Sequence, residues 1–135
     1  MINAYCSAVG GKKGTAGIGC VIVRGHDVID EIWKIVPRGL WKDGDDLEFR
    51  AAAEALFSIM GKGCSDEPVT LHMSAKRVVE NKGDPGQNDS FGAGLAVCMA
   101  GHFTSLSWSL IPSEVNIYAH DLAKRALREE GSDIA

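Results

Sequence analysis

Residues 46–60 constrain the fold most, because their apolar positions recur at intervals of three and four residues. That spacing places one continuous apolar stripe along an α-helix. The stripe consists of Phe49, Ala52, Ala53, Leu56, Ile59 and Met60. Asp45 or Asp46 can cap the amino end, and Gly61 and Gly63 can end the helix. The chain must therefore bury one side of a long helix against another apolar surface.

Composition predicts one globular domain spanning residues 1–135. The chain is 45% hydrophobic and 24% charged, as in ordinary globular proteins, and its length suits a single core. The formal net charge of −4 and pI near 5.5 argue against a dedicated nucleic-acid binder, which needs clustered lysine and arginine to neutralise phosphates.

The sequence also favours a cytoplasmic location. It has no apolar run of membrane-spanning length. Its first residues also lack the pattern of a secretory signal, in which a basic start is followed by an apolar core. Four cysteines are dispersed without a C-x-x-C pair, which favours reduced thiols over a disulfide framework. They are Cys6, Cys20, Cys64 and Cys98. No cofactor is predicted.

Alternating apolar residues predict three consecutive strands at 2–8, 16–23 and 28–36. Short turns separate them, so we expect an antiparallel meander. After the long helix we predict strands at 69–73 and 103–111.

Helices are predicted at 75–82, 91–100 and 115–130, with loops at 83–90 and a terminal tail at 131–135. The inner face of the last helix is expected to hold Tyr118, Ala119, Leu122, Ala126 and Leu127. The resulting order, β-β-β-α-β-α-α-β-α, is typical of a mixed sheet with helices on its faces.

Five short segments resemble the ribonuclease H-like superfamily in their order and spacing, closest in pattern to its plant and bacterial branch. They are residues 5–8 with the glycines that follow, the Gly-x-Gly strand at 16–19, the alanine-rich helix at 48–56, the strand end at 72–76, and the helix motif at 116–123. The resemblance implies an α/β fold with a five-stranded mixed sheet, in which a meander of strands 1-2-3 is joined by strands 4 and 5.

The resemblance also implies where the active site would lie. Ribonucleases of this family use four carboxylates to hold two Mg²⁺ ions. The equivalent positions in this chain are Cys6, Glu48, Ser74 and His120, of which only Glu48 is a carboxylate. Because Mg²⁺ needs hard oxygen ligands, the sequence predicts no catalytic residues and a vestigial site at these four positions.

Two alternatives remain open at this site. Glu54 fits the family's helix motif as an alternative to Glu48, although the apolar spacing favours Glu48. Cys6, Glu48 and His120 together could form a zinc trio, but a refilled and metal-free site is the preferred interpretation. Asp121 should point about 100° away from His120 on the helix, which argues against a triad with Ser74.

Basic residues in the first glycine turn and in the short helix after the fourth strand could contact phosphate, although a solvated turn and a charged helix face are the preferred interpretation. These residues are Lys12, Lys13, Lys76 and Arg77. The acidic balance instead favours a protein partner or self-association, with Trp41 as a candidate contact. We therefore interpret the chain as a catalytically inactive ribonuclease H-like domain that acts as a protein-interaction module, with contact to nucleic acid as an additional option. A nucleic-acid binder that does not cut, or a nuclease with altered metal ligands, are the alternatives.

Overall fold

A computed structural model describes residues 1–11, 14–82, 84 and 90–129. Its strands are β1 (Ile2–Gly10), β2 (Ala16–Arg24), β3 (Asp27–Val36), β4 (Val69–Met73) and β5 (Leu106–Leu110). Its helices are α1 (Gly44–Gly61), α2 (Lys76–Asn81), α3 (Phe91–Ala100) and α4 (Ile117–Glu129), with a 3-10 turn at Ser113–Val115. This order confirms the predicted sequence of elements.

The five strands form one mixed sheet in the spatial order β3-β2-β1-β4-β5. β1, β2 and β3 are antiparallel neighbours, and β4 and β5 add to the other side of β1 as parallel strands. The β2–β3 turn contains Gly25 at φ +62°, a backbone conformation that favours glycine. The predicted meander with two further strands is therefore confirmed.

Helix α1 covers one face of the sheet. Its stripe buries Phe49, Leu56 and Ile59 completely, and the facing strands contribute Ile2 and Leu71 to the same core. Complete burial of side chains of this size stabilises the fold by about 1.5–3 kcal/mol each. The predicted helix is confirmed as the element that closes this core.

The amino end of α1 differs from the expected cap. Asp43 is the N-cap, and its carboxylate accepts the Asp46 N–H at 2.8 Å. Asp46 is buried instead, and it accepts the N–H groups of Lys42 at 2.8 Å and Gly92 at 2.7 Å. Asp46 thereby joins the preceding loop and α3 to the start of α1.

Helix α4 covers the opposite face and lies unusually close to β2. A β-carbon at Gly17 would lie 2.2 Å from the Ala123 carbonyl oxygen, and one at Gly19 would lie 2.4 Å from the Ala119 carbonyl oxygen. Real β-carbons essentially never approach other atoms this closely. The Gly-x-Gly strand therefore exists here to admit the backbone of α4.

Three boundaries or faces differ from the prediction. β5 begins at Leu106 because the residues after α3 form turns, in which the Phe103 N–H donates to the Ala100 carbonyl at 3.1 Å. The 3-10 turn delays α4 to Ile117. Tyr118 is 51% exposed, because the buried stripe runs through Ala119 and the positions three and four residues further along.

Most of the predicted loop at 83–90 and the tail at 131–135 lie outside the described residues, as do Lys12 and Lys13. Within the described part of the chain, none of the helices combines the length and apolar character needed to cross a membrane.

Candidate functional site

A polar pocket of about 350 Å³ lies where the parallel strands β1 and β4 stop pairing. Their ladder ends at Tyr5 and His72, after which β1 continues beside β2 while β4 ends one residue later. The strand ends, α1 and α4 all contribute side chains to the opening. Its lining residues are Ser7, Ala8, Glu48, Ser74, Ala75, Ser113, Asn116, Ile117 and His120.

Three of the four residues predicted for the site line this pocket: Glu48, Ser74 and His120. The prediction for Cys6 needs a correction of one residue. Cys6 is completely buried in the core on the α1 side, opposite Cys20 in the β1–β2 ladder. Successive side chains of a strand point to opposite faces, so Ser7 faces the pocket instead.

Ser7 and His120 contact each other across the pocket. Ser7 Oγ lies 3.3 Å from His120 Nδ1, which is within hydrogen-bonding distance. Ser7 is only 8% exposed and His120 is half-buried. The contact links the middle of β1 to the first turn of α4.

Asn116 fixes the position of His120. The Asn116 side-chain Nδ2 donates to the Cys6 backbone carbonyl oxygen at 2.7 Å. The backbone carbonyl oxygen of Asn116 accepts the His120 backbone N–H at 3.1 Å. Its Oδ1 is buried without a hydrogen-bond partner among the described residues, and the same holds for Ser74 Oγ. The sequence places Asn116 only within a helix motif, because its role depends on a long-range contact that periodicity does not encode.

Glu48 is the one carboxylate in the pocket lining. Burial raises the pKa of Glu48 to about 7, and the nearby Asp45 carboxylate acts in the same direction. The Ala8 N–H donates to the Glu48 carboxylate and partly opposes this rise in pKa. Near neutral pH this side chain therefore exists as a mixture of acid and carboxylate.

Comparison with known proteins identifies the fold. The structure matches the ribonuclease H1 of Halobacterium salinarum NRC-1 with a TM-score of 0.78 and 22% identity, covering 95% of this chain and 98% of that one. It also matches the N-terminal ribonuclease H domain of rv2228c from Mycobacterium tuberculosis, with a TM-score of 0.78, 20% identity, and coverage of 95% and 94%. The chain has a ribonuclease H fold.

A third similar structure is LC11 ribonuclease H1 in complex with an RNA/DNA hybrid, with a TM-score of 0.78, 20% identity, and coverage of 96% of this chain and 99% of that one. No family model matches the sequence, and no curated protein matches it either.

The ribonuclease H fold implies a pair of Mg²⁺ ions, but the pocket residues do not fit such a pair. One carboxylate, three serine hydroxyls, one amide and one imidazole surround the opening, whereas two Mg²⁺ ions need several hard anionic oxygens. Among the described residues, no group of three or more histidine, cysteine or acidic side chains is placed to hold a metal. The trio of Cys6, Glu48 and His120 does not assemble, because Cys6 lies in the core.

The structure also separates the two alternatives considered for the helix carboxylate. Glu54 lies outside this pocket, where its carboxylate accepts a charged hydrogen bond from Lys34 Nζ at 2.9 Å. Asp121 is exposed and lines a different surface depression with Tyr118 and Arg125. Glu48 is therefore the helix carboxylate at the strand ends, and Asp121 does not join His120.

Two of the predicted phosphate contacts can be located. Lys76 and Arg77 are exposed at the start of α2, directly after the pocket residues Ser74 and Ala75. Arg77 forms an ion pair with Asp45 at 2.8 Å, so its charge is already compensated. Trp41, the predicted partner contact, donates from Nε1 to the Gly14 carbonyl at 2.7 Å and holds the loop before α1.

Proposed function

We propose that residues 1–135 form a catalytically inactive ribonuclease H-like domain whose role is to bind another protein. The observation that carries the proposal is the composition of the pocket at the strand ends. Ser7, Ser74 and His120 accompany Glu48 there, where hybrid-cutting members of the family need carboxylates. The site at Ser7, Glu48, Ser74 and His120 is then vestigial, with Ser7 replacing the predicted Cys6.

The chemistry of phosphodiester hydrolysis supports this proposal. In two-metal sites the cations activate water and stabilise the leaving oxygen. Ser7, Ser74 and His120 cannot replace three anionic oxygen ligands, and the pKa of Glu48 near 7 leaves its carboxylate partly protonated. The pocket therefore offers at most one partly charged oxygen ligand to a hard cation.

Surface composition supports a protein partner over a nucleic acid. The net charge is −4, and Arg77 beside the pocket is paired with Asp45. Two large aromatic side chains are mostly exposed instead: Phe57 at 64% and Phe91 at 63%. Exposed apolar groups of this size mark interaction surfaces when they lie together.

A cleavage assay tests the loss of activity. Purified chain is incubated with a labelled RNA/DNA hybrid and Mg²⁺, Mn²⁺ or Zn²⁺, beside the Glu48→Gln variant. We expect no cleavage by either protein. Cleavage by the unmodified chain that disappears in Glu48→Gln would overturn the proposal. Equal cleavage by both proteins would identify a contaminating nuclease.

Crosslinking tests the binding role. The chain is crosslinked in its native cells, and each captured protein is then purified and mixed with the purified chain. We expect at least one stoichiometric complex. If none of the captured proteins binds the purified chain, the role in protein binding is lost.

A nucleic-acid binder that does not cut is the second candidate. LC11 ribonuclease H1 of the same fold is known in complex with an RNA/DNA hybrid, and Lys76 beside the pocket has no ion pair among the described residues. Binding of a fluorescent hybrid at low salt that weakens with added salt and in Lys76→Glu would favour this candidate.

A further inference from the structure

An elongated apolar groove of about 400 Å³ lies along the outer side of α1. Arg50, Ala53 and Phe57 of α1 follow its length, at intervals of three and four residues. One wall is formed by the edge strand β3 and the other by α3, which contributes Phe91, Leu95 and Met99. Arg50 and Phe57 are separated by about 10 Å along the helix axis.

Two exposed phenylalanines line the groove. Phe57 and Phe91 lie at its two α-helical walls and are each more than three-fifths exposed. In α1 and α3 these positions lie opposite the stripes that build the core. The packing of the core therefore does not require either phenylalanine.

Arg50 is one of three charged residues in the lining of the groove, beside the ion pair of Lys34 and Glu54. Its guanidinium carbon lies 5.0 Å from the centre of the Phe91 ring, a cation–π contact. Its Nε is buried and has no hydrogen-bond partner among the described residues. Arg50 forms no ion pair among the described residues. Glu54 pairs with Lys34, and the Asp46 carboxylate accepts the N–H groups of Lys42 and Gly92.

Arg50 and Phe91 also border a second depression, of about 540 Å³, which contains Leu40 and Trp41. Leu40 is 58% exposed. Arg50 therefore lies between two depressions that are mainly apolar. Each of them is also lined by one lysine and one carboxylate, so Arg50 leaves an excess of one positive charge across the pair. This arrangement suits a ligand with apolar groups on either side of an acidic group.

We propose that this groove binds a segment of another protein in which apolar side chains flank a carboxylate. The apolar side chains occupy the depressions beside Phe57 and Leu40, and the carboxylate accepts hydrogen bonds from the Arg50 guanidinium. Charge-assisted pairs of this type are specific as well as strong. The inference rests on the proposed role in protein binding and names the surface and the chemistry of the partner.

A phage-displayed library of random peptides, selected on the immobilised full chain, tests the chemistry. We expect the enriched peptides to share an acidic residue next to aromatic or aliphatic ones. Phe91→Ser should weaken their binding by about tenfold or more, as for buried anchors of interfaces. Tyr118→Ser, a matched change at an exposed aromatic on α4, should leave binding unchanged.

Arg50 is tested by a double-mutant cycle. Arg50→Gln should weaken a peptide that carries the acid but not the same peptide with the corresponding amide. Arg50→Glu should shift the selection towards basic peptides. Circular dichroism melting checks that the variants fold. If Phe91→Ser does not fold, Phe57→Ser tests the apolar contact in its place.

Four outcomes would overturn the inference. Enriched peptides without acidic residues, or binding unaffected by both Phe91→Ser and Arg50→Gln, would exclude the proposed contacts. Dimers in sedimentation velocity that Phe91→Ser dissociates would show that a second copy of the chain occupies the groove. A crosslinked partner that binds the Arg50 and Phe91 variants normally would exclude this surface while leaving the role in protein binding intact.

Discussion

Glu48 is held in a position that disfavours its charged form. It lies at the boundary between the α1 core and the pocket, and burial raises its pKa from the usual 4.5 to about 7. Three neighbouring pocket positions are serine or histidine, so no group in the lining offers a permanent positive charge to stabilise the carboxylate. The cost of ionising Glu48 should therefore appear in the stability of the fold.

We predict that Glu48 makes the chain less stable as the pH rises from about 4.5 to 7. Over this interval the folded state retains a proton that the unfolded state releases, so the free energy of unfolding falls with rising pH. Above pH 7 the free energy of unfolding has fallen by its full amount. For a rise in the Glu48 pKa from 4.5 to about 7, that amount is at most on the order of 3 kcal/mol. Urea denaturation across this pH range measures it.

Glu48→Gln is the matched variant, since it keeps the shape of the side chain and cannot ionise. Its free energy of unfolding relative to the unmodified chain should rise between pH 4.5 and pH 8 by that same amount. A difference between the two proteins that does not change with pH would show that Glu48 titrates normally.

The pair Cys6 and Ser7 shows which residue-level features sequence can give. The motif located the correct stretch of β1, and Glu48, Ser74 and His120 line the same pocket as expected. Cys6 and Ser7 are both small, uncharged residues that are compatible with a metal-free pocket. Residue type alone therefore could not show which of them faces the pocket. The choice depends on strand register, and pairing of Cys6 with Cys20 on the core side fixes it.

At the scale of elements, the contact between α4 and β2 has no room for a side chain. A β-carbon added at Gly19 would lie 2.4 Å from the Ala119 carbonyl oxygen and 2.5 Å from the Ala123 backbone nitrogen. A backbone atom cannot rotate away as a side chain does. The helix must therefore move as a whole to admit even one methyl group.

We predict that Gly19→Ala destabilises the chain by about 1–3 kcal/mol or more, the usual range for overpacking. Because α4 carries His120 into the pocket, Ser7 should also lose its contact with His120. Thermal and urea denaturation measure the first effect, and the chemical shifts of the His120 ring report the second.

Gly94→Ala is the control for this prediction. Gly94 lies within α3 and nothing lies within 4 Å of a β-carbon placed there. Alanine should stabilise this helix by about 0.5–1 kcal/mol, because glycine loses more conformational freedom on folding. If both variants lost stability equally, the close approach of α4 would not be the cause.

Helical periodicity predicted elements better than it predicted their ends. The stripe of α1 was sufficient because nearly all of its members are buried. The predicted face of α4 included Tyr118, because an amphipathic helix admits an apolar residue beside its stripe without penalty. The helix ends depend on local hydrogen bonds, such as the one that the Asp46 N–H donates to the Asp43 carboxylate. Asp45 and Asp46 lie nearby and were equally plausible N-cap residues from the sequence.

At the scale of the molecule, the topology could be predicted because it follows from the order of the elements. Three strands with short turns must form a meander, and strands reached through helices join the sheet in parallel. The outer groove could not be predicted. Arg50 and Phe57 lie on a face of α1 that mixes polar and apolar residues, and Phe91 is far from both in sequence. Only the packing of α3 on α1 brings the three together.

The pocket at the ends of β1 and β4 is open in this fold. If the scaffold still has the geometry of a metal site and lacks only its ligands, Ser7→Asp, Ser74→Asp and His120→Asp together should create one around Glu48. Without metal, four carboxylates in this space repel one another, so the triple variant should be less stable than the unmodified chain. Mg²⁺ should then restore stability, because it binds only the folded state.

Thermal denaturation with and without Mg²⁺ measures this effect. At a Mg²⁺ concentration about one hundred times the dissociation constant, the gain should be about 2.7 kcal/mol. The corresponding triple asparagine variant, which has similar shape and no added charge, should not respond to Mg²⁺, and neither should the unmodified chain. Stabilisation of the unmodified chain by Mg²⁺ would instead mean that Glu48 with its neutral neighbours already binds the ion, and the inactive assignment would have to be abandoned.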